Sequence, residues 1–395
     1  MPTDRRSVAL LIETSNEYAR GLLRGILRFQ HEHDYWLIDL PERHRGAAPP
    51  NWLDQYRGDG IIARIETPEI ADAVERTGKP IVDVSAARML PQIPWVETDD
   101  AAIAALAIEH LLNRGFKHLA FCGQRAFNWS RWRCEAFESL AAERGLAVAT
   151  FDLAGSTGDI GESSENDRLR DWLAGLPEQT GLFAAYDILA RRVLDLCRQL
   201  GRDIPESIAV LGVDDDPIMC QLSQPPLTSI IPDAEEAGYR AAVLLDRQMA
   251  GEPLDPDEHS ILLPPLGIAP RRSTDTLATE DAEVAEAARL IRARACEGIR
   301  VSDIVEDSPL SRRVLETRFK KSLGMTPHEL IAATRLARAE ELLRDTDLSL
   351  GQIARRIGLE SGEYLNVLFR RHRDETPGEY RRKSRAASRI MFSQP

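Results

Sequence analysis

From Ser7 to about Pro270 the chain alternates short apolar runs with amphipathic stretches, and at Pro270 that alternation stops. SVALLIE, YWLIDL, DGIIARI, PIVDVS, HLAFCG, VATFDL, GLFAAYD and SIAVLGVD read as strands. Between them, segments such as DDAAIAALAIEHLLNRG and ILARRVLDLCRQLG repeat apolar residues at helical spacing. Such alternation marks βαβ units and parallel sheets. Gly115, Gly145 and Gly201 fall where helix C-caps are expected. The units are too many for one small sheet and lack the closing signals of a barrel, so two doubly wound α/β lobes are expected. PRRSTDTLATEDAE (270–283) is polar, aperiodic and opened by a proline, which reads as a linker. Seven helical segments follow, giving an all-α domain over 284–385 and a tail at 386–395.

A length of 395 residues already favours more than one core. No apolar run approaches the roughly 18 residues of a membrane helix, and the start reads as a first strand rather than a signal peptide. Five scattered cysteines without CxxC spacing indicate neither a disulfide framework nor a zinc site, and fit a cytoplasmic protein. The net charge of −13 is unevenly spread: residues 281–395 hold 22 Lys+Arg against 18 Asp+Glu, a net +4, leaving −17 on the rest. An acidic body with a mildly basic tail points to the tail as the part that meets a polyanion. Walker, GxGxxG, HExxH and GxSxG patterns are absent from the sequence, so no catalytic residues, metal or cofactor are assigned. The histidines, His110 included, form no metal-spaced set.

In the tail, Ile353, Ala354, Ile357, Gly358, Leu359, Tyr364 and Val367 have helix-turn-helix spacing, the apolar positions fixing the angle between the helices. A poorer copy runs Ile304, Val305, Pro309, Leu310, Leu315 and Phe319. The second helices start at Ser311 and Ser361, joined by one long amphipathic helix. Through SRRVLETRFKKSLGMTPHELI, RLARAEELL, LSLGQIARRIGLESGEYLNVLFRRH and TPGEYR, residues 285–385 resemble the AraC/XylS-type DNA-binding domain. That resemblance implies double-stranded operator DNA as partner, with Arg313, Glu316 and Thr317, then Gly362, Glu363 and Asn366, facing bases. Lys320, Lys321, Arg370 and Arg371 are implied to contact phosphates, which position without specifying. Leu359 stands where the family usually has phenylalanine, and Asp374 where a glycine usually follows.

The body, through LLIETSNEYARGLLRGI, GDGIIA, KPIVDVS, VETDDAAIAALAIEHLLNRGFKHLAFCG, GLFAAYDILARRV and IPESIAVLGVDDDPIMCQLSQPPLTSI, resembles the LacI/GalR and periplasmic sugar-binding family over 7–270. The resemblance implies lobe 1 at about 7–114 and 233–253 and lobe 2 at about 117–231 and 259–270, with crossovers near 114–117, 231–234 and 253–259. It implies a monosaccharide effector in the cleft, a pentose such as D-xylose favoured. Asp214 is expected to accept hydroxyl bonds, Arg133 to donate, and Asn16 and Tyr18 to cover the ligand. Tyr186 and Asp187 close a strand, and Trp129 and Trp132 are candidates for ring stacking. Asp187 equally suits a helix cap and Trp132 equally suits the core, while Asp215 and Asp216 read as a solvated turn. The expected function is a sugar-responsive transcription regulator, an activator by its tail, acting as a homodimer with RNA polymerase a further candidate partner. The different-class alternative is a solute-binding module whose tail contacts protein.

Overall fold

The computed structural model describes residues 5–33, 36–42, 44, 47–153, 163–276, 279, 281–373 and 375–382. The chain forms two compact units, Met1–Thr276 and Leu277–Pro395. The expected tail at 386–395, and Asp374, lie outside the described residues.

The first unit runs β1 (Ser7–Leu11), α1 (Glu17–Glu32), β2 (Leu37–Asp39), β3 (Gly60–Ala63), α2 (Pro68–Arg76), β4 (Ile81–Asp83), β5 (Trp95–Thr98) and α3 (Asp100–Leu112). It continues β6 (His118–Gly123), α4 (Asn128–Ala142), β7 (Val148–Asp152), α5 (Ser163–Gly175), β8 (Thr180–Ala184), α6 (Asp187–Gln199) and β9 (Ile208–Val213). α7 (Pro217–Leu222), β10 (Thr228–Ile231), α8 (Ala234–Met249), β11 (Ser260–Leu263) and β12 (Gly267–Ala269) complete it. Two six-stranded sheets result, ordered β11-β5-β4-β3-β1-β2 and β12-β10-β9-β8-β6-β7. The pairs are parallel except β10 with β12. Strands such as Ile208–Val213 are buried along their whole length, which is why they read as unbroken apolar runs.

Two crossovers differ from expectation. α3 packs on α4 and β10 of the second lobe, with Leu111 against Gly181, so the chain changes lobe at Thr98–Asp100 rather than 114–117. β11 pairs with β5 in the first sheet, so the last change falls between Leu263 and Gly267 rather than at 253–259. The crossover at 231–234 is where β10 hands over to α8. Periodicity identifies an element but not the sheet it covers, and the errors are of that kind. The linker also contracts: Ser273 and Thr274 are fully buried. The Ser273 hydroxyl donates to the Val210 carbonyl at 2.6 Å and accepts from the Thr228 amide at 2.8 Å. His110 Nε2 bonds Thr274 Oγ1 at 2.8 Å. A polar stretch is thus core, because each hydroxyl has a partner.

α1 and α8 pack closely through glycines: a Cβ on Gly238 would lie 2.0 Å from the Leu22 carbonyl oxygen, and one on Gly25 would lie 1.9 Å from that of Glu235.

The second unit contains α9 (Ala282–Arg294), α10 (Val301–Glu306), α11 (Arg312–Leu323), α12 (Pro327–Asp345), α13 (Leu350–Arg356) and α14 (Gly362–Arg373), with 377–382 also helical. Reciprocal capping boxes start α12 (Thr326 with Glu329) and α13 (Ser349 with Gln352). Ile291, Ile304, Leu315, Phe319 and Leu330 form one small core. Leu343, Ile353, Ile357, Leu365 and Phe369 form another, with α12 spanning both. Gly358 holds φ +71° in the second turn, and a Cβ there would meet Gly298 N at 2.4 Å. Tyr364 and Val367, expected to set the interhelical angle, are 63% and 62% exposed. Leu365 and Phe369 do that work instead, because α14 turns its 365/369 face inward.

The glycine contacts predict that Gly238→Ala overpacks the α1–α8 seam and costs about 1–3 kcal/mol of stability, read as a lower urea midpoint. An unchanged midpoint would mean that the seam yields freely.

Candidate functional site

Where the carboxyl ends of the two sheets face each other lies a cavity of about 480 Å³, its open mouth included. It is lined from the first lobe by Tyr18 after β1, Arg64 after β3, Val84, Ser85 and Ala86 after β4, and Glu97 and Thr98 of β5. From the second lobe come Asp100 at the start of α3, Trp129 and Arg133 of α4, Tyr186 after β8 and Asp214 after β9. Open α/β sheets bind ligands at this end, where loops and helix starts present side chains.

The cations are closed by acids. Arg64, 6% exposed, donates to Glu13 Oε1 and Glu66 Oε1, both at 2.5 Å. Burial opposes its charge, but Glu13 and Glu66 outweigh that and raise its pKa. Arg133 donates from Nε to Asp100 Oδ1 at 2.7 Å and from Nη1 to the Ala185 carbonyl at 2.6 Å. Burial pushes the Asp100 carboxyl up to about 6 against the pull of Arg133. Glu97, 3% exposed, accepts from Arg88 Nη2 at 3.0 Å. Burial pushes it up to about 7, opposed by Arg88. Asp83, beneath the loop after β4, accepts from the amides of Ser85 at 2.8 Å and Ile65 at 3.2 Å, and burial still lifts it to about 8. Burial likewise raises the Tyr18 phenol.

Five of the eight sequence-assigned residues line the cavity: Tyr18, Trp129, Arg133, Tyr186 and Asp214. Trp129 meets the Tyr186 ring edge-on at 5.6 Å, and Tyr186 donates its hydroxyl to Gln124 at 3.1 Å. Asp214 holds φ +112°, unusual for a non-glycine residue. The other three stand behind the wall. Asn16 caps α1, accepting from the Ala19 amide at 2.8 Å, and donates to Glu13 at 2.9 Å. Asp187, 1% exposed, accepts from Ser229 Oγ at 2.6 Å and the Asp216 amide at 2.8 Å, which ties down the Asp214 loop. Burial and nearby Asp214 raise its pKa well above the usual range. Trp132 is half-buried against the Arg88 guanidinium at 4.7 Å.

The presumed solvated turn is structural. Asp216, 5% exposed, caps α7 and pairs across the lobes with Arg20 at 2.9 Å, while Asp215 pairs with Arg271 at 2.7 Å. Sequence reasoning missed Arg64, Glu97 and Asp100; the signal that finds them is a charge at the exit of an apolar strand or the start of the following helix.

In the second unit, Arg313, Thr317, Lys320, Lys321, Glu363, Arg370 and Arg371 are exposed, Glu316, Gly362 and Asn366 less so. Leu315 and Phe319, and Leu365 and Phe369, hold the opposite faces of α11 and α14 in the cores. Glu316 accepts from Arg312 at 2.9 Å, and Asn366 Nδ2 donates to the Gly362 carbonyl at 3.2 Å.

Residues 7–101 match the XylR N-terminal domain, 108–274 a periplasmic binding protein-like domain and 304–383 a helix-turn-helix domain. The chain is 33% identical to the xylose operon regulatory protein of Escherichia coli K12, covering 96% of this chain and 98% of that protein. The chain belongs to the family of xylose operon regulatory proteins. The Haemophilus influenzae family member is 30% identical, covering 95% of this chain and 97% of that one. A solved structure described as the xylose-binding transcription activator XylR superposes with a TM-score of 0.78 at 32% identity, covering 96% of this chain and 99% of that one. Like other members of this family, the chain is a transcription regulator and not an enzyme: a two-lobed sensor followed by an AraC-type DNA-binding domain. Among the described residues no helix is long and apolar enough to cross a membrane, and no group of three or more His, Cys, Asp or Glu could hold a metal ion.

The raised carboxyls set a pH dependence. Between about 4 and 7 to 8 the native state keeps protons on Glu97 and Asp83 that the unfolded chain has released. Stability is therefore highest toward the acid side of this window and falls as pH rises through it, by at most about 1.4 kcal/mol per unit for each group. The thermal midpoint is expected to drop from pH 5.5 to 8, and Glu97→Gln to flatten the part of that slope below about pH 7. A midpoint rising over that range would contradict this account.

Proposed function

We propose that the chain is a cytoplasmic, D-xylose-responsive transcription activator that binds the pentose between the lobes and operator DNA through its two helix-turn-helix units. The observation that carries the sugar reading is the lining itself: carboxylates of Asp214, Asp100 and Glu97, with Trp129 and Tyr186 supplying ring faces. Such a site offers acceptors to vicinal hydroxyls and an apolar face to C–H groups. Among the described residues that line it both arginines, Arg64 and Arg133, are already paired with acids, which disfavours an anionic sugar. Asp214 accepts hydroxyl bonds, Arg133 donates, and Tyr18 covers the ring; Asn16, Asp187 and Trp132 act by positioning those groups. The relatives named as xylose operon regulators favour the pentose.

Sugar shifts the protein only if it binds one arrangement more tightly than another. Lobe closure is that arrangement, passed on through two protomers to their reach on adjacent half-sites, with RNA polymerase contacted from the DNA-bound state. Arg313, Glu316 and Thr317 on α11, and Gly362, Glu363 and Asn366 on α14, face bases; Lys320, Lys321, Arg370 and Arg371 take phosphates. Val367 joins the base-facing set, since it occupies in α14 the place of Thr317 in α11 and is exposed. An exposed valine suits a thymine methyl.

A thermal-shift screen with pentoses and hexoses tests the ligand. D-Xylose at 100 times its dissociation constant should stabilise by about 2.7 kcal/mol, its epimers less; no shift with D-xylose rejects the assignment. Asp214→Asn should abolish that response with operator binding intact. Affinity for operator should fall steeply with salt, whereas a protein-binding tail would show no DNA affinity to lose. Arg313→Ala should relax preference at one base pair by about 1–3 kcal/mol; uniform weakening across sequences would make it a phosphate contact.

A further inference from the structure

Glu97 differs from the other acids of the cleft. Its Oε2 accepts from Arg88 Nη2 at 3.0 Å, while its Oε1 is buried without a hydrogen-bond partner among the described residues. Once ionised, a carboxylate oxygen in that state is costly unless something donates to it, and a donating ligand favours the ionised form. Because Glu97 lines the cavity, the donor it suits is a ligand hydroxyl, and an anionic ligand would be repelled. Arg88, which fixes the other oxygen, sits in the left-handed region at φ +50°. Its guanidinium carbon lies 3.8 Å from the ring centre of Trp95 in its own lobe and 4.7 Å from that of Trp132 in the opposite lobe. Beside it, Asn128 of the second lobe donates to the carbonyls of Ala86 at 3.0 Å and Ala87 at 3.3 Å. The arginine that orients Glu97 is thus also a point where the lobes meet.

We propose that Glu97 is a sugar-recognition residue accepting a ligand hydroxyl at Oε1, and that Arg88, clamped between Trp95 and Trp132, is the positioning residue that couples this bond to lobe closure. The inference rests on the sugar reading above and names the acceptor and the coupling within it. A flat guanidinium between two indoles is favoured by cation–π attraction; parting the lobes would remove Trp132 from one side of it. Glu97 would then lose the fixed orientation on which its bond to the ligand depends.

The test is calorimetric titration of the full chain with D-xylose and its monodeoxy analogues, alongside tryptophan emission. For the wild type, removing one particular hydroxyl should weaken binding about tenfold, equivalent to about 1.4 kcal/mol. Glu97→Ala and the shape-preserving Glu97→Gln should bind D-xylose about tenfold more weakly and cease to discriminate at that hydroxyl, while still discriminating at the others. Arg88→Ala should weaken D-xylose binding, reduce discrimination at the same hydroxyl as the Glu97 variants do, and in addition abolish the sugar-induced change in emission, and Arg88→Lys should not restore it. Equal weakening of all analogues by the Glu97 variants would make Glu97 only an anchor for Arg88 and overturn the contact. Unchanged D-xylose affinity in those variants overturns the proposal alone. Failure of the wild type to bind D-xylose removes the sugar reading and the proposal together. Wild-type far-ultraviolet circular dichroism and a cooperative thermal transition in each variant certify that the sensor unit is folded.

Discussion

A guanidinium taken out of water holds the first wall of the cleft together. Arg64 can be buried only because Glu13 and Glu66 each take a hydrogen bond from it, since an unpaired charge at that depth would cost several kcal/mol. Glu13 is in turn held by Asn16, whose other side-chain atom caps α1. The ends of β1 and β3 and the start of α1 are thereby one network, with the Tyr18 ring 5.6 Å from the guanidinium. The second wall repeats the device with Arg133, tied to Asp100 and the Ala185 carbonyl. Polar groups can then face the cavity in fixed positions, because their partners, and not bulk solvent, set their orientation.

The chain passes between lobes at three places, around Asp99, Pro232 and Pro264. All three are short segments, so relative motion of the lobes is concentrated there while each sheet stays intact. Among the described residues, contacts that oppose such motion include Arg20 with Asp216, Asn128 with two carbonyls, and Arg88 with Trp132. Polar contacts of that kind exchange for water when they part, as a reversible sensor requires.

The two-lobed architecture was legible because strands buried on both faces write themselves as unbroken apolar runs. Two of the three lobe changes were not, since α3 and β11 have the same local pattern whichever sheet they join. For the site, sequence identified residues in loops after strands and placed Tyr18, Arg133 and Asp214 on the cavity. It passed over Arg64 and Glu97, because a charge that ends an apolar run looks like the strand leaving the core. It offered Asn16 as a ligand contact and Asp187 as either a ligand contact or a helix cap; Asn16 instead caps α1, and Asp187 does neither but accepts from Ser229 and the Asp216 amide behind the wall. Tyr364 and Val367 failed in the opposite direction, as apolar residues assumed to be core that the fold turns outward.

The two helix-turn-helix units repeat at an offset that places Ser361 where Ser311 stands, so their outward positions can be compared directly. At the matching places α11 carries Arg313, Glu316 and Thr317, and α14 carries Glu363, Asn366 and Val367. Arginine favours guanine, asparagine favours adenine and an apolar side chain favours the thymine methyl. With the proposed base-facing positions, the two helices would be chemically different readers, and one tail would read a directional sequence rather than a repeated one. Symmetry in an operator would have to come from a second chain, not from the duplication within one. The acidic sensor, at −17 against +4 for residues 281–395, works in the same direction: it gives the body no attraction for the duplex and leaves DNA affinity to the tail.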